Sequence, residues 1–108
     1  MTLLRLFDDV DMGDAEAVSN AVSSLVFASL EQQAEALQGL RDELQFTVPD
    51  MARAMSVPKS TMERYLFGKT LMKPTHVKLL ALMLMLRVTE PELFLELFSA
   101  GSGDRRFK

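Results

Sequence analysis

The sequence contains no cysteine and no tryptophan, and it has one tyrosine and one histidine. Without cysteine the chain forms no disulfide and has no thiolate nucleophile, which fits a reducing cytosol. Residue types that favour strands, such as isoleucine, tyrosine and tryptophan, are scarce, whereas leucine and methionine dominate the apolar residues. We therefore expect an all-α protein.

Long apolar segments are also missing. The longest run, LLALMLML at residues 79–86, is far shorter than the roughly 20 residues that cross a bilayer. The N-terminal sequence MTLLRLFDDVD becomes acidic too early for a secretory signal. A chain of 108 residues has room for one domain with one core. We expect a soluble, cytoplasmic protein with no membrane partner.

No pattern typical of catalysis or metal binding is present in the sequence. His76 is the only histidine and has no second ligand close to it in the chain. The acidic stretch DDVDMGD at residues 8–14 lacks the glycine position and the closing glutamate of a calcium loop. Catalytic triads and glycine-rich phosphate loops are likewise absent. We expect a protein that is not an enzyme and that has no cofactor and no metal site.

Charge is distributed unevenly along this weakly acidic chain. Residues 1–45 hold two basic residues against nine acidic ones, residues 46–88 hold seven against two, and residues 89–108 hold three against four. Attraction to phosphates depends on the local field rather than on net charge. The basic block therefore favours an anionic partner such as DNA, while the acidic N-terminal region is a candidate surface for a protein partner.

Apolar residues recur at helical spacing along most of the chain. They predict six helices, near residues 15–28, 30–45, 48–55, 58–67, 74–87 and 90–98. Helix-start signals support the first three of these helices. The expected caps are Asp14, Ser29 with Gln32, and Thr47.

Proline, glycine and threonine residues give further predictions about the helices. Pro58 is expected in the first turn of the fourth helix, and Gly68 directly after that helix. Thr89 is expected to cap the sixth helix. Gly39, inside the second helix, indicates close packing at that point. The segment before Asp14 is compatible with a strand, a helical turn or disorder.

The stretch MARAMSVPKSTMERYL at residues 51–66 has the pattern of two short helices joined by a tight turn. Ala52 lies where the two helices would cross most closely. The apolar residues expected to form their shared core are Met51, Met55, Val57, Met62 and Tyr65. This arrangement leaves a set of polar residues on the outward face of the second helix, namely Lys59, Ser60, Thr61, Glu63 and Arg64.

The segment FTVPDMARAMSVPKSTMERYLFGKTLMKP, followed by LLALMLMLRVTEPELF, resembles the Cro/repressor-type (lambda-repressor-like, XRE) helix-turn-helix domain. The resemblance covers about residues 34–98. Ser56 stands where the family commonly has glycine, and the glutamines that often start the two central helices are missing. The resemblance implies a lambda-repressor-like five-helix bundle, here with an extra N-terminal helix, that binds double-stranded DNA sequence-specifically with the helix at 58–67 in the major groove.

The polar side chains then have distinct expected roles. Arg64 can form a paired contact with guanine O6 and N7, and shorter polar side chains can reach bases or phosphates. The expected base contacts are Lys59, Ser60, Thr61 and Arg64. The expected phosphate contacts are Thr47, Lys69 and Lys73. The alternative is an ordinary solvated surface on a protein-interaction module.

We expect an N-terminal extension with a dimerisation helix at residues 1–30, the helix-turn-helix domain at 31–99 and a flexible tail at 100–108. Palindromic sites mirror two-fold proteins, so we expect a homodimer. Its expected contacts are Val18, Val22, Leu25 and Val26, the alternative being a thicker monomer core. The expected function is transcriptional regulation, as a repressor. The alternative is a protein-interaction module, such as an antitoxin that binds a partner protein and autoregulates its operon.

Overall fold

The computed structural model describes residues 3–98, and this part of the chain is all-helical. A short 3₁₀ helix, Leu3–Arg5, precedes six α-helices. These are α1 (Ala15–Val26), α2 (Leu30–Leu44), α3 (Val48–Met55), α4 (Lys59–Leu66), α5 (Pro74–Thr89) and α6 (Pro91–Phe98). The six predicted helices are confirmed to within two residues at each end. The predicted tail, residues 100–108, lies outside the described residues.

Side-chain caps explain where the first three α-helices begin. The Asp14 carboxylate accepts hydrogen bonds from two backbone N–H groups in the first turn of α1. At α2, Ser29 and Gln32 each accept the other's backbone N–H, which satisfies two donors that the helix itself cannot pair. Thr47 and Asp50 form the same reciprocal arrangement at α3. The predicted caps are therefore confirmed.

Two expectations about helix ends are wrong. Helix α5 continues to Thr89, whose hydroxyl donates to the Met85 carbonyl one turn earlier, so this side chain does not cap α6. Glu90 is instead the residue directly before α6, and the helix begins at Pro91. Pro58 lies one position before α4 rather than in its first turn. Its ring still fixes φ at −61°, close to a helical value.

The N-terminal segment shares one hydrophobic core with α3 and α4. Phe7, Ala21 and Leu25 belong to the same cluster of buried apolar side chains as the buried residues of α3 and α4. The 3₁₀ helix packs on α2, and a Cβ on Gly39 would lie 3.0 Å from a methyl carbon of Leu4. The close packing expected at Gly39 is thus confirmed. The undecided segment before α1 is a 3₁₀ helix followed by turns.

Helix α1 packs its apolar face against α5. Leu25 is 0% exposed, and Val22 and Val26 pack against the same core. Because Leu25 has no surface to offer a second copy, its assignment to a dimer contact is wrong for that side chain. Helices α1 and α5 therefore cover part of each other's apolar surface.

Arg87 ties the N-terminal segment to the bundle. Its guanidinium donates to both carboxylate oxygens of Glu43, at 2.6 and 2.8 Å, and to the Leu4 carbonyl at 3.4 Å. Asp8 lies 3.7 Å from the same group. The hydrogen bonds to Glu43 raise the pKa of Arg87 above its ordinary value, against the opposing effect of partial burial.

Within residues 3–98, no helix combines the length and apolar character that crossing a bilayer requires.

Candidate nucleic-acid interface

Helices α3 and α4 pack against each other across a turn at residues 56–58. Ser56 adopts a left-handed conformation, with φ of 57°. Its N–H donates to the Arg53 carbonyl, and the Val57 N–H donates to the Ala52 carbonyl. These two bonds close the end of α3 in a Schellman-type pattern, which redirects the chain into α4.

The residues predicted to form the shared core of the two helices are all buried. They are Met51, Ala52, Met55, Val57, Met62 and Tyr65. Ala52 has no side chain beyond Cβ, so it allows the helices to approach closely. Burial of this set fixes which face of α4 points outward.

The outward face of α4 carries the predicted base-contacting residues. Lys59, Ser60 and Arg64 are exposed, and Thr61 is half-buried. One Arg64 nitrogen donates to the Thr61 hydroxyl at 3.3 Å, which leaves the other donors of the guanidinium available.

The predicted phosphate contacts lie on either side of this helix. Lys69 and Lys73 are exposed on the connector between α4 and α5. Thr47 is exposed at the start of α3, where its hydroxyl oxygen accepts the Asp50 N–H. The hydroxyl hydrogen of Thr47 is not used in that bond, so it can still donate to an acceptor.

Cations in the described residues fall into two groups. The arginines outside α4 each form an ion pair with a carboxylate; they are Arg5, Arg41, Arg53 and Arg87. No ion pair within residues 3–98 involves any of the remaining cations, which are Lys59, Arg64, Lys69, Lys73 and Lys78. All five unpaired cations fall within one segment of 20 residues. We call this set the unpaired basic segment.

A groove of about 210 Å³ lies between α4 and the start of α5. Its lining residues are Pro58, Thr61, Arg64, Tyr65, Thr70, Leu71, Lys73 and His76. The Tyr65 hydroxyl lies 2.7 Å from His76 Nδ1 and accepts the Lys73 N–H at 3.4 Å. The groove thus brings Arg64 and Lys73, which were predicted to contact different parts of DNA, to one surface.

Two glutamines on α2 hold this region in place. Gln38 donates to the Leu66 carbonyl at the end of α4, at 3.0 Å. The buried Gln33 accepts the Met72 N–H at 3.0 Å and donates to the Leu25 carbonyl at 3.3 Å. The position of the connector therefore depends on α1 as well as on α2.

Two exposed apolar residues on this surface were not predicted from the sequence. Phe67 is 61% exposed and Leu71 is 56% exposed. Phe67 lies seven residues after Ser60 and three residues after Arg64. At this helical spacing the three side chains share one face, so the sequence alone could have placed Phe67 on the outward face of α4. The pairing of Tyr65 with His76 had no such signal, because it depends on how α4 and α5 meet.

Comparisons with protein-family models, with curated proteins and with solved structures find no match to this chain. Among residues 3–98, no group of three or more histidine, cysteine, aspartate or glutamate side chains is placed to hold a metal ion. The exposed side chains of α4 and of the connector after it carry positive charge and hydrogen-bond donors, namely Lys59, Ser60, Arg64, Lys69 and Lys73.

Proposed function

We propose that the protein is a sequence-specific DNA-binding transcriptional regulator that inserts α4 into the major groove and acts as a repressor. The observation that carries this proposal is the unpaired basic segment in an otherwise acidic chain. Cations without carboxylate partners can approach phosphates at a small cost in free energy, because no ion pair has to be broken. The resemblance to Cro/repressor-type domains, stated above on the residues of α3, α4 and α5, supports the same assignment.

The proposed roles follow the positions of the side chains. Arg64 is exposed at the middle of the outward face, where its free donors suit a guanine edge. Ser60 and Lys59 lie nearer the start of α4, and contact bases or phosphates there. Lys69 and Lys73, on the connector, position the protein on the DNA backbone. Occupation of a promoter by this helical domain would be enough to block transcription.

Selection of bound sequences from random duplex DNA tests this function. We expect enrichment of one motif and an affinity that falls steeply with ionic strength, by about 0.9 log units per neutralised phosphate per log unit of salt. Binding without an enriched motif would contradict the proposed sequence specificity. A failure to bind duplex even at low salt would remove the function altogether.

We further propose that two copies bind DNA as a homodimer. One recognition helix contacts only a few base pairs, so pairing two copies on a palindrome greatly increases discrimination. With Leu25 buried in the core, we assign the pairing surface to the exposed apolar side chains of α5 and α6. Its exposed residues are Leu82, Val88, Leu93, Leu95 and Leu97.

A second candidate function is a protein-interaction module, such as an antitoxin that binds a partner protein and autoregulates its operon. Phe27 is 85% exposed at the α1–α2 junction, and the exposed carboxylates of Glu31 and Glu35 follow it on α2. An aromatic side chain beside acidic residues suits a basic protein partner. For this candidate, Phe27→Ser would abolish partner binding and leave duplex binding unchanged, measured by titration calorimetry with each ligand.

A further inference from the structure

The groove between α4 and α5 contains the only histidine of the chain, and none of its lining residues is acidic. The charged and titratable groups that line it beside His76 are Arg64 and Tyr65 from α4 and Lys73 from the connector. Arg64 and Lys73 belong to the unpaired basic segment. The positive charge of this groove is therefore not balanced by any residue that lines it.

The direction of the hydrogen bond between the Tyr65 hydroxyl and His76 depends on whether His76 is protonated. Tyr65 is 3% exposed, and its oxygen already accepts the Lys73 N–H. When neutral His76 carries its ring proton on Nε2, the Tyr65 hydroxyl donates to Nδ1. Protonated His76 instead donates from Nδ1 to the Tyr65 oxygen, which releases the hydroxyl hydrogen for another acceptor.

We propose that this groove holds one phosphate of the DNA backbone and that protonation of His76 strengthens the contact. The inference rests on the proposed DNA binding and adds a site and a pH dependence to it. Arg64 and Lys73 supply the standing charge, while Thr61 and the released Tyr65 hydroxyl donate hydrogen bonds. His76 supplies an additional charge that appears as pH falls.

The coupling has a defined sign. A bound phosphate favours the charged form of His76 over the neutral form. Binding therefore takes up a proton, and affinity rises as pH falls through the range in which histidine changes charge. One proton per protomer limits the slope of log affinity against pH to about one. We expect binding about three- to tenfold tighter near pH 6 than near pH 8.

The test measures affinity for a short duplex of random sequence by fluorescence anisotropy at constant ionic strength, across that pH range. His76→Asn is the decisive variant, because an amide oxygen near the Nδ1 position still accepts from Tyr65 but does not titrate. Lys78→Gln is the matched control. It removes an unpaired cation of the same helix from outside the groove, so it should weaken binding at every pH and leave the slope unchanged.

The wild-type protein should show the slope, and His76→Asn should bind at every pH with the affinity of the wild type near pH 8. Binding that is independent of pH in the wild type, or a slope that persists in His76→Asn, would overturn the inference and leave the proposed function standing. Absence of duplex binding at any pH would instead remove the proposed function.

Nuclear magnetic resonance of the His76 ring separates two sources of phosphate in the wild-type protein. We expect the ring signals to shift on addition of duplex and to stay unchanged with inorganic phosphate alone at millimolar concentration. Shifts with inorganic phosphate and none with duplex would assign the groove to a small anion and overturn the assignment to DNA.

Discussion

Within residues 3–98, three helices are followed by a residue in the left-handed region, and one of these three residues is a glycine. Gly68 follows α4 with φ of 66°, while Gln45 follows α2 and Ser56 follows α3 with φ of 56° and 57°. A side chain in this conformation costs roughly 1–2 kcal/mol per residue. At Ser56 this cost falls within the turn that sets the angle between α3 and α4.

Substitution Ser56→Gly should stabilise the protein by about 0.5–1 kcal/mol, because relief of the backbone strain exceeds the added freedom of the unfolded chain. Urea unfolding followed by circular dichroism measures this change. Ser23→Gly is the matched control: the exposed Ser23 lies inside α1, where glycine should destabilise by about 0.5–1 kcal/mol. Equal destabilisation by both substitutions would contradict the strain at Ser56.

At the scale of single elements, α4 has one face buried in the core and one face exposed to solvent. Met62, Tyr65 and Leu66 are buried, whereas Ser60 and Arg64 are exposed on the opposite side. Gln38 fixes the end of the helix through the Leu66 carbonyl. A short helix held in this way presents its outward side chains at a constant orientation, as recognition of base edges requires.

Substitution Arg64→Ala should cost about 1–3 kcal/mol on the specific site and relax the preference at one base pair. Lys69→Ala should instead weaken all duplexes alike and make the salt slope shallower by about one unit. Anisotropy titrations on matched and mismatched duplexes at several salt concentrations distinguish these results.

Arg53→Ala is a control for the loss of any arginine near the site, since Arg53 is ion-paired with Asp50 on α3 and should change DNA affinity little. If Arg64→Ala and Lys69→Ala both bind specific DNA like the parent protein, α4 does not enter the groove.

Local signals in the sequence were sufficient to predict the helices and most of their starts. Caps such as Asp14, Ser29 and Thr47 act within a few residues, so the sequence contains both partners of each bond. Thr89 was misassigned because a threonine hydroxyl can bond either to the next helix or back to the preceding turn. The exposure of the residues on α4 also followed from helical spacing.

Features that depend on tertiary packing were not predictable in this way. Helical periodicity shows that Leu25 faces inward on α1, but it does not show whether α5 or a second chain covers it. The same limit applies to the burial of Phe7 and to the meeting of Tyr65 with His76. Each of these depends on which elements pack together.

At the scale of the whole molecule, residues 3–26 complete the core rather than extend from it, since Phe7, Ala21 and Leu25 join the buried cluster. Of the eight large apolar side chains that are exposed within residues 3–98, five lie on α5 and α6. On α6, Phe94 packs into the core while Leu93 and Leu97, four residues apart, lie on one exposed row. Exposed apolar patches of this kind mark interaction surfaces.

Substitution Leu97→Lys should therefore preserve the fold and shift the protein from dimer to monomer, because it places a charge in the proposed interface. Sedimentation equilibrium and the ratio of affinities for a palindrome and for a half-site measure this effect. Leu25→Lys is the contrasting variant: it should destabilise the protomer by at least about 3 kcal/mol, since it buries a charge in the core. A monomeric parent at micromolar concentration, with full palindrome binding, would eliminate the homodimer.

The buried amide of Gln33 has a consequence for hydrogen exchange in the connector after α4. Backbone N–H groups in connectors usually exchange quickly with solvent, because small local openings expose them. The Met72 N–H is instead bonded to the Gln33 side chain, which is itself bonded to the end of α1, and Met72 is buried. Its exchange therefore requires α1, α2 and the connector to separate. We expect the Met72 amide to exchange as slowly as the core helices, whereas the amide of the exposed neighbour Leu71 exchanges rapidly.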